Sequence, residues 1–314
     1  MHIFLRRQTL APWVCAFLCL ALAVAGAGCG QRNSGRKVIG VTLLTKEHVF
    51  YRDLESGLRA AAEQKSYDLL ITSGDWDLAK QQGQIENFIV QKVAAIIVCP
   101  VNSKGIGPAI EKASQAKIPV FTADIKADSG PVVSHVASDN FLGGKLAGEY
   151  MAKALAGKGK VAVIDQPIVE SAIERVRGFE EVIKQHPEMQ IVAKPTGDGV
   201  RDKAMKAAED LLQGFPDLQG IFGINDDSAL GALSAMESAG RKGIVVLGFD
   251  AIPEARAAIL RGTALKADVV QNPKVIGQTT IETIDRYLKG EPVPRLIPVE
   301  VRVVDKAILE NESR

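Results

Sequence analysis

The chain has 314 residues, enough for about two domains, each able to bury a core of its own. With 38 basic and 37 acidic side chains its formal net charge is +1, and no run of five like charges occurs. That balance argues against nucleic acid as a partner, which would favour a basic face, and leaves no charged arm or tail.

His2, Arg6 and Arg7 precede an apolar stretch over residues 10–27 that closes on small residues, AVAGAGCG. This is the pattern of a secretory signal, at the short end for a membrane span. Two cleavage sites compete. Gly28-Cys29 resembles a lipobox, which would make Cys29 the lipidated first residue, although Gly26 stands where that motif usually has Leu. Ala25-Gly26-Ala27 suits an ordinary signal peptidase. The reading adopted is a signal over 1–28, lipidation of Cys29 and a tether over 29–36. Cys15 and Cys19 leave with the signal, and Cys99, at the end of an apolar run, reads as a small buried hydrophobe. No disulfide framework is available, so the fold rests on its core.

Strand-like runs follow in chain order: VIGVTLL (38–44), YDLLIT (67–72), VAAIIVC (93–99), IPVFTA (118–123) and VVSHVA (132–137). A second set is KVAVI (160–164), QIVAK (190–194), LQGIFGI (218–224), GIVVLGF (243–249) and LKADVV (265–270). Helical patterns separate them. Over 51–65, Tyr51, Leu54, Leu58, Ala61 and Ala62 recur at helical spacing; over 227–239, Asp227 is the expected N-cap, Leu230, Leu233 and Met236 form the stripe, and Gly240 is the stop. Near-continuous apolar strands alternating with helices predict parallel sheets covered on both faces. IPVFTAD, ending in Asp124, echoes IVVLGFD, ending in Asp250. The reading is therefore two similar α/β lobes of about five strands each.

Polar residues punctuate the strand ends: Thr45, Thr72-Ser73, Asp124, Asp165-Gln166, Asn225-Asp226, Asp250 and Gln271. In open parallel sheets ligands bind at the carboxyl ends of strands, beside helix N-termini. Two such edges facing each other would form a small-molecule cleft. Taken singly, each residue reads equally well as a helix cap or a turn. Signals for catalysis and metals are missing. GKGK (157–160) lacks the rest of a phosphate loop, and Thr45-Lys46-Glu47 stands where a glycine fingerprint would. No two His share ligand spacing, His135 reads as structural, Asp75-Trp76-Asp77 is no calcium loop, and no nucleophile elbow occurs. No enzyme activity, cofactor or metal is expected.

At VVSHVASDNFLGGKLAGEYMAK (132–153), SAIERVRGF (171–179), INDDSALGAL (224–233), VVLGFD (245–250) and VVQNPKVIGQ (269–278) the sequence resembles the ribose-binding family of periplasmic sugar-binding proteins, receptors of ABC importers. The likeness spans roughly 37–304. It implies the type I periplasmic binding protein fold: two doubly wound parallel-sheet lobes, 37–138 plus 272–300 and 139–271 plus 301–314, joined by a three-strand hinge near Ser138-Asp139, Gln271-Asn272 and Glu300-Val301. It implies ligand contacts from Phe50, Tyr51, Asp124, Arg175, Asn225, Asp250 and Gln271, with His48, Trp76 and Ile125 as secondary candidates, and a ligand rather than the protein as the partner of Asp250. Ile125 departs from the Arg of ribose binders, Leu44 from a Ser and His48 from an Asn, and the aromatic expected near Asp198-Gly199 is missing. The expected protein is a monomeric receptor in the periplasm or cell envelope, held to the membrane through Cys29, that passes a neutral sugar or polyol to the membrane subunits of an ABC importer. A sensor subunit for a histidine kinase or chemoreceptor is the alternative. A lactose-repressor-type regulator would need a DNA-binding segment where the export signal stands, and a carbohydrate enzyme would need its two cleft carboxylates set around a scissile bond.

Overall fold

The computed structural model describes His2 and residues 35–312. The export signal, Cys15, Cys19, the lipidation candidate Cys29 and most of the tether lie outside the described residues.

The first sheet contains β1 (Lys37–Leu43), β2 (Tyr67–Ser73), β3 (Ala95–Val98), β4 (Val120–Ala123), β5 (Val132–Ser138) and β11 (Leu296–Val299), in the order β11-β5-β4-β3-β1-β2, all parallel. The second contains β6 (Lys158–Ile164), β7 (Glu188–Ala193), β8 (Leu218–Gly223), β9 (Val245–Asp250), β10 (Leu265–Val270) and β12 (Arg302–Asp305), in the order β12-β10-β9-β8-β6-β7. There β12 runs antiparallel to β10 and the rest are parallel. Two α/β lobes with parallel sheets are thus present, as the sequence predicts.

Each sheet has one strand more than the five read from the sequence. The additions, LIPV and RVVD, are four-residue edge strands with exposed positions, and one contains Pro298. Strands this short and this exposed, one of them holding a Pro, do not stand out from the connecting segments. The central strands do: β3 (AIIV) and β4 (VFTA) are buried at every position because helices cover both faces. The chain passes between the sheets after β5, after β10 and between β11 and β12.

In the first lobe, α1 (Val49–Gln64) packs against α9 (Pro273–Leu288); in the second, α4 (Asn140–Ala154) packs against α5 (Glu170–Ile183). Both pairs meet backbone to backbone through glycine. A Cβ on Gly57 would fall on the carbonyl oxygen of Lys274, and one on Gly144 would fall on that of Arg175. The second approach fixes where α5 carries Arg175.

Both sheets wind alike. Successive strands depart in opposite directions at β1/β3 and at β6/β8, and at such a switch point the crevice opens at the carboxyl ends. The lobes are drawn together there. Ser103 N donates to Ile168 O at 3.1 Å, and Ser103 Oγ accepts from Glu170 N at 2.9 Å. The N-cap residue of α5, Val169, offers no side-chain acceptor, so Ser103 of the opposite lobe caps that helix. Residues 37–312 pack as one compact unit.

Gly144→Ala should destabilise the protein by about 1–3 kcal/mol, because the added methyl meets backbone that cannot move aside. Gly83→Ala, with nothing within 4 Å of its added methyl inside α2 (Leu78–Val90), should instead stabilise by about 0.5–1 kcal/mol. Urea unfolding of the two variants measures both; a neutral Gly144→Ala would contradict the close approach of α4 and α5.

Candidate functional site

The carboxyl ends of the two sheets enclose one cavity of about 50 Å³. From the first lobe, Leu44 and Thr45 follow β1, His48, Phe50 and Tyr51 open α1, Trp76 follows β2, and Asp124 and Ile125 follow β4. From the second, Gln166 follows β6, Arg175 lies on α5, Asn225 follows β8, Asp250 ends β9 and Gln271 follows β10. All ten residues singled out from the sequence therefore line this one cavity. Val169, Ser171, Ala172, Gly199 and Ile224 complete the wall and were not anticipated. Ser171 and Ala172 were within reach of sequence reasoning, since they stand four and three residues before Arg175 and share its helix face.

Arg175 is 5% exposed. Its Nε donates to Asn140 Oδ1 at 2.8 Å, its Nη1 donates to Ile224 O at 2.7 Å, and its guanidinium lies 3.8 Å from the centroid of the Phe249 ring. Burial lowers its pKa, while Asp250 and Asp124 hold it up. Three of its five N–H groups remain unused.

Asp124 Oδ2 accepts from Tyr51 Oη at 2.7 Å. Burial pushes the Asp124 carboxyl up to about 6 against the pull of Arg175 and of the Tyr51 hydrogen bond. Burial, with Asp124 beside it, raises the Tyr51 phenol well above its usual range. The Tyr51 hydroxyl is therefore committed to a carboxylate, and its ring, with that of Phe50 edge-on at 5.3 Å, forms the apolar side of the wall.

Asp250 has protein partners, contrary to the expectation that only a ligand would pair with it. Its Oδ1 accepts from Gln271 Nε2, and its Oδ2 lies 3.5 Å from His48 Nε2. Burial raises the Asp250 pKa, and His48, Arg175 and Gln271 oppose that rise. His48 caps α1: its Nδ1 accepts from Phe50 N at 3.1 Å, which places the ring proton on Nε2. That nitrogen also faces Asp227 Oδ2 at 3.5 Å, so His48 bridges the lobes.

The N-cap of α7 (Asp226–Ser238) is Asn225, not Asp227. Asn225 has extended backbone, its Oδ1 accepts from Ser228 N at 2.9 Å, and its Nδ2 donates to Gly199 O at 3.1 Å. Asp227 lies inside the first turn and pairs with Arg201. Trp76, 39% exposed, stands at the rim. His135 is structural, with its Nδ1 2.9 Å from Thr122 Oγ1. Three buried polar atoms in the cavity wall, Gln166 Nε2, Gln271 Oε1 and His48 Nε2, have no hydrogen-bond partner among the described residues. Buried polar groups are rarely left so.

The fold and cleft have counterparts among known proteins. The sequence matches the family described as periplasmic binding protein domain over residues 39–292. A ribose import binding protein of Salmonella typhimurium is 36% identical over 290 residues, covering 91% of this chain and 97% of the relative. A xylitol-binding protein of Mycolicibacterium smegmatis is 30% identical over 276 residues, covering 87% and 78%. The structure of an ABC transporter periplasmic solute-binding protein from Actinobacillus succinogenes, with bound D-allose, superposes with a TM-score of 0.81 at 29% identity, covering 88% of this chain and all of that one. By its sequence match, its two similarly wound sheets and the cleft between them, this chain belongs to the periplasmic binding protein family, whose members work outside the cytoplasmic membrane.

Proposed function

We propose that this protein is a monomeric extracytoplasmic receptor that encloses one neutral monosaccharide or polyol between its lobes and presents the closed form to an ABC importer. The observation that carries this reading is the set of unanswered polar groups in the cavity. Gln166 Nε2, His48 Nε2 and three N–H groups of Arg175 can donate; Gln271 Oε1 and the Asp124 and Asp250 carboxylates can accept. A hydroxyl both donates and accepts, so a polyol satisfies such a mixed set. Hydrogen bonds to charged groups contribute about 1.5–3 kcal/mol each, and micromolar affinity needs about 8 kcal/mol. Leu44, Ile125, Phe50 and Tyr51 supply apolar surface for the C–H side of a ring. A space of about 50 Å³ suits one small molecule.

Charge narrows the class. Asp124 and Asp250 face Arg175 and His48, a balance that is neutral to slightly negative. An anionic ligand would have to be desolvated without enough cationic partners. The relatives support the class: curated ones bind ribose, xylitol and D-apiose by name, and similar structures hold D-allose and myo-inositol. Ile125, 2% exposed, gives the first lobe an apolar edge where ribose binders carry Arg, favouring a deoxysugar or a hexose lying differently from ribose. Capture proceeds by hinge closure, so the importer meets both lobes in one geometry only when the cleft is filled. The bound sugar leaves unchanged, since the reading is of binding without turnover. A lipid on Cys29 holds the receptor at the membrane.

Calorimetry against ribose, rhamnose, fucose, xylose, glucose, galactose, xylitol, myo-inositol, ribose phosphate and a sugar acid should find the tightest binding with a neutral member other than ribose. Tightest binding to the phosphate or the acid would overturn the charge argument, and tightest binding to ribose would overturn the inference from Ile125. Mass spectrometry of the mature N-terminus should find a lipidated Cys29; an unmodified chain beginning at Gly28 would refute the anchor and leave export standing.

A further inference from the structure

Asp250 is held in the cleft by a backbone that a non-glycine residue rarely adopts. Its φ is 120°, and that of Ala251 is 57°. Such conformations persist only where the surroundings enforce them. Two acidic side chains do so here. Ala251 N donates to Asp268 Oδ1 at 3.1 Å, and Ile252 N donates to Asp226 Oδ2 at 2.7 Å. Arg256 Nε, on α8 (Pro253–Leu260), closes the turn from the other side by donating to Ala251 O at 2.8 Å. Asp226 opens α7 and Asp268 stands in the middle of β10; they are 0% and 1% exposed.

The second oxygens of these acids, Asp226 Oδ1 and Asp268 Oδ2, are buried, and no N–H or O–H among the described residues donates to them. They converge over Gly248, where a Cβ would lie 2.6 Å from each. Two buried carboxylates so placed cannot both be ionised, and one proton between them supplies the missing hydrogen bond. The charged groups facing the pair are Asp250 at the end of β9, Arg256 on α8 and Arg175 on α5.

We propose that Asp226 and Asp268 are positioning residues that share one proton, hold the strained Asp250–Ile252 turn and thereby aim the Asp250 carboxylate into the cleft. The inference rests on the reading of the cleft as a ligand site. Burial is the main cause raising both acids: Asp268 is pushed up to about 7, and Asp226, with the Asp268 charge beside it, well above the carboxylate range. In the unfolded chain each titrates at about 4. The folded protein thus holds the proton more tightly than the unfolded chain. The stabilisation is complete below pH about 4 and is withdrawn as pH rises, the pair giving up its first proton near 7 and the shared one at higher pH.

Asp268→Asn tests this without removing either hydrogen bond, since the amide oxygen can still accept from Ala251 N and the amide nitrogen donates to Asp226 without a titrating proton. In ligand-free protein the wild-type melting temperature should fall between pH 6 and pH 9 by about 3 °C more than that of Asp268→Asn. The 15N resonance of His48 Nε2, which faces Asp250, should stay in place in Asp268→Asn and move in Asp268→Leu, which loses the acceptor for Ala251 N. With D-ribose and myo-inositol as probes, wild-type affinity should weaken at least threefold from pH 6.5 to pH 8.5, Asp268→Asn should not change over that range, and Asp268→Leu should be at least tenfold weaker at both. An alkaline loss equal in Asp268→Asn and wild type would overturn the shared proton. An unmoved His48 resonance together with wild-type affinity in Asp268→Leu would overturn the positioning role. The melting and resonance arms need no sugar, so they decide the matter even if neither probe binds, and the Asn arm decides it if the Leu variant does not fold.

Discussion

A guanidinium taken almost wholly out of water is costly unless its N–H groups and its charge are answered. Arg175 sets that condition for the cleft. The second lobe answers part of it through Asn140, Ile224 O and the face of Phe249. The charge is answered by two carboxylates, Asp250 of the same lobe and Asp124 of the other. Asp124 comes from the first lobe and Arg175 from the second, so the charge of the cation is answered across the cleft. Three N–H groups are left without a partner among the described residues, at the wall of the cavity.

The lobes prepare this meeting in the same way. Each winds its sheet to a switch point, and each packs one helix pair so closely that glycine is required at the contact, Gly57 in one and Gly144 in the other. The contacts that join them are few and specific. Ser103 caps a helix of the opposite lobe, and His48 caps its own helix with one nitrogen while turning the other toward Asp227 and Asp250. The Ser103 cap and the approach of His48 to Asp227 and Asp250 span the two lobes, while the Nδ1 cap lies within one. The Ser103 hydrogen bond is worth on the order of 1 kcal/mol.

Much of this was legible in the sequence, and the rest was hidden for physical reasons. The central strands announce themselves because burial on both faces makes them continuously apolar, as AIIV and VFTA show. The edge strands LIPV and RVVD do not, since they are short and half exposed. Asp124, Asn225, Asp250 and Gln271 were legible as polar strand ends, although each alone reads as a turn or a cap, while Phe50, Tyr51 and Arg175 were reached through the resemblance; Asn225 is in fact both a cap and a wall residue. Asp227 was read as the cap because local sequence cannot say which of Asn225, Asp226 and Asp227 has extended backbone. That choice is settled far away in the chain, by Ile252 N, which donates to Asp226 Oδ2 and holds that side chain in the core. The one local hint was the Asp inside the apolar run LKADVV, a charge where a buried strand should have none.

The central claim is that ligand brings two lobes together around a buried cation, and small-angle X-ray scattering tests it most directly. The protein is measured alone and saturated with the tightest sugar or polyol of the calorimetric panel. The account predicts a smaller radius of gyration on saturation, with an unchanged circular dichroism spectrum, because the lobes move as rigid bodies. Equal radii in the two states would contradict closure as the means by which the cleft captures its ligand.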